Sequence, residues 1–156
     1  MKRLSSYVLG IAGVVFAAMA TIAAVAQGTQ APAQPEGAAL SSSRAFPLEQ
    51  MAVRKAANGG ESRNIVHGVL KTGEGVALHE SMLPVGLSPN AGHAIQHSEF
   101  IVVSEGTLEF DHDGRTETVG PGGVIYVAYG TFHKVKNVGK VPAKYVVVAI
   151  GGDTKK

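Results

Sequence analysis

Gly92–Gly106 reads GHAIQHSEFIVVSEG, and this stretch decides the fold. It places His93, His97 and Glu99 within seven residues, ahead of a short apolar run and a Glu-Gly turn. In an extended chain side chains alternate, so positions 93, 95, 97 and 99 point to one side. His93, His97 and Glu99 then share a face, with Ile95 between them. Imidazole nitrogen and carboxylate oxygen are donors that zinc, manganese, iron and nickel accept. A fourth candidate, His133, follows in Tyr126–Gly139, YVAYGTFHKVKNVG. The pattern points to a metal or ligand pocket inside a small β-barrel.

On either side of this stretch the chain alternates short β-prone runs with turns. Strands are expected near 64–70, 75–83, 98–104, 107–112, 115–119, 124–128, 131–136 and 143–150. Asp113-Gly114 suits a two-residue hairpin turn, in which both central residues need positive φ. Gly120-Pro121-Gly122-Gly123 interrupts the next pair, and Asn137 to Pro142 the last. No long run beyond residue 45 has a helical period. Strands at such regular spacing indicate an all-β sandwich or barrel.

The 156 residues have room for one domain. Setting aside Lys2 and Arg3, acidic and basic side chains balance at 12 each, and a nucleic-acid binder should keep a basic surplus in its folded part. The late lysines at 134, 136, 140, 144, 155 and 156 read as a solvated face. With no cysteine there is no disulfide, thiolate nucleophile or Fe–S cluster. There is also no P-loop, dinucleotide fingerprint or Ser-His-Asp arrangement.

The N-terminus reads as an export signal. MKRLSS is a short positive region, Tyr7 to Ala26 is apolar, and Ala24-Val25-Ala26 is the A-x-A pattern that signal peptidase cuts. The expectation is cleavage before Gln27 and a periplasmic or secreted protein without stable membrane association; a retained anchor is the competing reading. Residues 27–60 are expected to form a flexible linker and N-terminal extension, 61–151 the barrel, and 152–156 a C-terminal tail.

Glu99 is followed after six residues by Gly106, and His93 stands six residues before Glu99. Gly130, His133 and Asn137 keep the spacing G-x2-H-x3-N. These residues resemble the two motifs of the cupin superfamily, a double-stranded β-helix or jelly roll, over about residues 61–151. Ile95 stands where the first motif has its second histidine, and Ala128 where the second has proline. Metal-binding cupins generally use three His and one Glu. The resemblance therefore implies one divalent transition metal (Mn, Fe, Zn or Ni) on His93, Glu99 and His133, with His97 substituting for the ligand missing at Ile95. Glu99 would serve as ligand or proton acceptor, which makes it the catalytic candidate. The alternative is that the site lost its metal and became a cavity for a small molecule.

Four further residues are candidates for the pocket wall: His79, which alternates with Ala77 and Ser81, together with Ile95, Tyr126 and Phe132. His67 and His112 have no partner pattern and are expected to face solvent. Three functions follow. The first is a metal-dependent enzyme (an oxygenase or isomerase, for example) acting on a small oxygen-containing molecule. The second is a binding module without turnover. The third is a structural barrel with an inert cavity. A homodimer through edge strands or a sheet face is expected, because pairing removes exposed strand edges.

Overall fold

The computed structural model describes residues 39–155, so the expected export signal and cleavage before Gln27 lie outside the described residues. The expected strands form, as β3 (Glu61–Leu70), β4 (Gly75–Leu83), β6 (Ser98–Glu105), β7 (Leu108–His112), β8 (Arg115–Val119), β9 (Val124–Val127), β10 (Phe132–Asn137) and β11 (Ala143–Ile150). Three short strands join them: β1 (Ala39–Leu40), β2 (Arg54–Lys55) and β5 (His93–Ala94). One sheet has the order β1-β3-β4-β11-β6-β9, with β2 also on β3; the other has the order β5-β10-β7-β8. The architecture is all-β, the jelly-roll barrel of two facing sheets.

Alternation explains how the sheets face each other. On β11, Ala143, Tyr145, Val147 and Ala149 are buried while the residues between them are only partly covered. Ile101 and Val103 of β6, Phe110 of β7, Ile125 and Val127 of β9 and Val135 of β10 complete the core with them. Such a face brings about 1.5–3 kcal/mol per fully buried side chain, which is what holds two sheets together without disulfides.

Turn chemistry follows the sequence where backbone sign matters. Asp113 and Gly114 have φ of 47° and 72°, the two-residue hairpin joining β7 to β8. Gly106, which ends the first motif, has φ 75°, and a Cβ there would lie 2.7 Å from the Ala143 Cα.

The stretch read as linker and extension, 27–60, contains two of the added strands. Ala39–Leu40 pairs in parallel with β3, and Arg54–Lys55 pairs antiparallel with Ser62 and Glu61. A two-residue strand has no room for a period, so neither left a signature in the sequence. The tail also has structure: Gly152–Lys155 forms a short 3-10 turn against β4. No helix among the described residues is long and apolar enough to cross a membrane.

Candidate functional site

The decisive local feature is a change of sheet. His93 sits on β5, paired with His133 of β10, whereas Glu99 sits on β6 in the other sheet. Between them the chain bends at Gln96–His97. The single extended face expected for 93, 95, 97 and 99 is therefore not what arranges these residues. His93 and Glu99 reach the same space from opposite sheets.

That space is a cavity of about 110 Å³ whose wall includes His79, His93, Glu99, His133 and Tyr145. The rings of His93 and His133 stand 4.9 Å apart. His93 Nδ1 donates to the Ala91 carbonyl at 3.1 Å and His133 Nδ1 to the Thr131 carbonyl at 3.2 Å. Those bonds require an Nδ1–H on each ring, and in a neutral imidazole that leaves Nε2 as the acceptor. Burial pushes His133 below the ordinary imidazole pKa; its Thr131 bond opposes this and nearby His93 assists. His79 is lowered by burial too, against the Glu99 charge. Both are neutral at pH 7. Tyr145 is raised by burial, keeping it a neutral phenol hydrogen-bonded to Ser81.

His97 lies apart from this wall. Its Nε2 is 2.8 Å from Glu99 Oε1 and its Nδ1 is 2.7 Å from Asp153 Oδ1 in the C-terminal turn. An ionised carboxylate only accepts, so His97 donates from both nitrogens and is an imidazolium. Burial opposes that charge, but the two hydrogen bonds and the two carboxylate charges outweigh it and raise the pKa. The turn is seated closely: Asp153 N–H donates to the Gln96 carbonyl at 3.1 Å. Nothing in the sequence links positions 97 and 153, so Asp153 was not among the expected residues.

The sign of the pH effect follows. A raised folded pKa gives stability that is complete below the unfolded value near 6.5 and is lost as pH rises through the folded pKa. His97→Gln is therefore expected to destabilise most at pH 5.5–6 and least at alkaline pH, read by urea unfolding across that range. Equal loss at every pH would remove His97 as the charged partner of Glu99 and Asp153.

The remaining expectations fall in several places. Ile95 is 5% exposed and belongs to the apolar core, because the bend turns it inward among Leu83, Ile101 and Val135. Tyr126 and Phe132 are 54% and 64% exposed and lie outside the cavity wall. His112 bonds Asp113 and Glu117 at the surface. His67 is only partly exposed, and its Nδ1 is buried without a partner among the described residues. Asn137, the last residue of the second motif, is fully buried, and it is structural. Its Nδ2 donates to the Leu83 and Val141 carbonyls, each at 2.9 Å, and its Oδ1 accepts from Gly139 N–H at 2.9 Å.

A divalent metal does not fit these side chains as they stand. Among the described residues no three His, Asp or Glu side chains are grouped to hold one. His97 is turned to Glu99 and Asp153, and Ile95 offers no donor atom.

Residues 78–149 match the cupin domain family, and the two-sheet all-β fold agrees with that match. Solved structures agree. An RmlC-like cupin of Shewanella frigidimarina superposes with a TM-score of 0.60 at 17% identity, covering 71% of this chain and 94% of that one. A predicted oxalate decarboxylase of Thermotoga maritima gives 0.55 at 19%, covering 69% and 98%. A sugar phosphate isomerase of Silicibacter pomeroyi gives 0.56 at 18%, covering 68% and 74%. At these identities the likeness is one of fold. Comparison with curated proteins gives no significant match.

Proposed function

We propose that this chain is an exported single-domain cupin that binds a small hydroxylated molecule in its barrel by hydrogen bonding, without a resident metal. The observation that carries this reading is the composition of the cavity wall. His93 and His133 set their imidazoles against the cavity with Nδ1 tied to backbone carbonyls, and Glu99 adds a carboxylate. A wall rich in acceptors is matched by hydroxyl donors, each hydrogen bond so formed contributing about 0.5–1.5 kcal/mol. Named activities among the fold relatives, oxalate decarboxylation and sugar phosphate isomerisation, are consistent with small oxygen-rich ligands. Glu99, held by His97, is the group placed to accept a proton if the bound molecule is turned over.

The second reading is a divalent transition metal on His93, Glu99 and His133. It is favoured by their sharing one cavity, and it requires their side chains to reorient. Elemental analysis of protein purified from its native compartment without a metal-capturing tag separates the two. No stoichiometric metal is expected. One manganese, iron, zinc or nickel per chain, lost in His133→Ala, would establish the metal reading instead.

The dimer belongs to the same proposal. β9 is a sheet edge, and beside it Phe100, Val102, Val124 and Tyr126 form an exposed apolar patch, with the Phe100 and Tyr126 rings 5.1 Å apart. Antiparallel β9–β9 pairing in a two-fold dimer would close the edge and bring the two patches side by side, each Tyr126 packing near its partner's patch. Sedimentation at dimer mass, reverting to monomer in Tyr126→Lys, is the expected result.

A further inference from the structure

Beside the cavity lies a second one that shares part of its wall. A space of about 380 Å³ shares His79, Ser81, Pro89, Asn90 and Tyr145 with the inner cavity and is bordered on its far side by Arg54, Lys55, Asn58 and Asn64. The inner space alone is small for an organic ligand, since binding cavities generally run to about 300–1,000 Å³. The outer space supplies the missing room.

The two ends differ in charge. On the inner wall the Glu99–His97–Asp153 group carries one net negative charge, which the Lys134 ammonium offsets, and His79 and His133 are neutral. On the outer wall Lys55 lies 3.4 Å from Glu61, which neutralises it. Arg54 has no carboxylate partner among the described residues, so the outer end carries one uncompensated guanidinium. Between the ends, Ser62, Asn64, Ser81 and Asn90 offer hydrogen-bonding groups that suit hydroxyls.

We infer that the two cavities together take an elongated hydroxylated monoanion, its hydroxyl end at Glu99, His93 and His133 and its carboxylate end at Arg54. This rests on the hydroxyl-binding reading of the inner wall and adds to it the class of ligand and the role of the N-terminal strand β2. That strand, paired only to the end of β3, is what brings Arg54 to the cavity rim.

The test is a titration of the full chain, followed by backbone-amide NMR and calorimetry, with three probes. D-gluconate has both ends, D-glucitol lacks the charge, and glycolate is short enough for the inner space. Gluconate is expected to shift amides at both 133–135 and 62–64 and to bind about fivefold more tightly than glucitol, the worth of one exposed charge contact. In Arg54→Gln, whose side chain is exposed, the fold is retained and the two affinities should converge. Equal binding of gluconate and glucitol by the wild type overturns the inference, as does a preference that survives in Arg54→Gln. If glycolate still shifts 133–135 in either case, the hydroxyl-binding reading stands without the anionic arm. If no probe shifts those amides, both fall.

Discussion

Asn137→Ala is expected to lower the unfolding free energy by about 3 kcal/mol, because it strips partners from three groups at once. The Leu83 and Val141 carbonyls lose a donor and Gly139 N–H loses its acceptor, all at a site with no exposed surface at residue 137. Each such buried group left unpaired costs about 1–3 kcal/mol, partly relieved if water enters. In a domain of this size the melting temperature should fall by roughly 10 °C. Asn137→Asp keeps the acceptor for Gly139 but removes both donated bonds, so it should not rescue stability. A melting temperature within two degrees of wild type (~0.5 kcal/mol) for the alanine variant would show that the loop 138–142 is held by something else.

The second large effect is expected at Gly152. Its φ is +53°, and any Cβ there would collide with the Gln96 carbonyl. Gly152→Val should therefore lift the C-terminal turn off the bend at Gln96–His97, at a cost of about 1–3 kcal/mol. Asp153 leaves with it, so His97 should titrate at a lower pH than in wild type, measured from its ring proton shifts. Asp153→Asn removes the charge but leaves the turn in place. It should reproduce the change in titration with much less loss of stability. A Gly152→Val protein in which His97 still titrates as in wild type would detach the turn from the site altogether.

Most strands were legible because each is long enough to show a period or a β-branched run. Tyr145 to Ala149 is an unbroken apolar run that reads as a strand although only the structure shows every second residue buried, and Asp113-Gly114 marks its hairpin by backbone sign alone. The motif glycine at 106 was legible for the same reason, since its conformation is local. The site was less so. Parity counting assumed one strand through 93–99, but the chain leaves one sheet and enters the other within that stretch, and a two-residue β5 cannot announce this. His97 was placed with the right neighbour, Glu99, but away from the cavity wall, because its second partner lies 56 residues ahead in a tail with no pattern. Arg54 was invisible for a related reason: its place at the cavity rim comes from where β3 carries β2, not from anything near it in the sequence.

The division of the wall between two sheets has a mechanical consequence. His93 and His133 ride on one sheet, and His79 and Glu99 ride on the other, so any splaying of the sandwich separates them. A molecule bonded to both sides acts as a cross-brace whose binding energy is lost the moment the sheets part. Occupancy and resistance to heat are then coupled, with unfolding opposed by about 2.7 kcal/mol at a ligand concentration one hundred times its dissociation constant. In such a frame the temperature at which the barrel opens would rise with how tightly a spanning molecule is held.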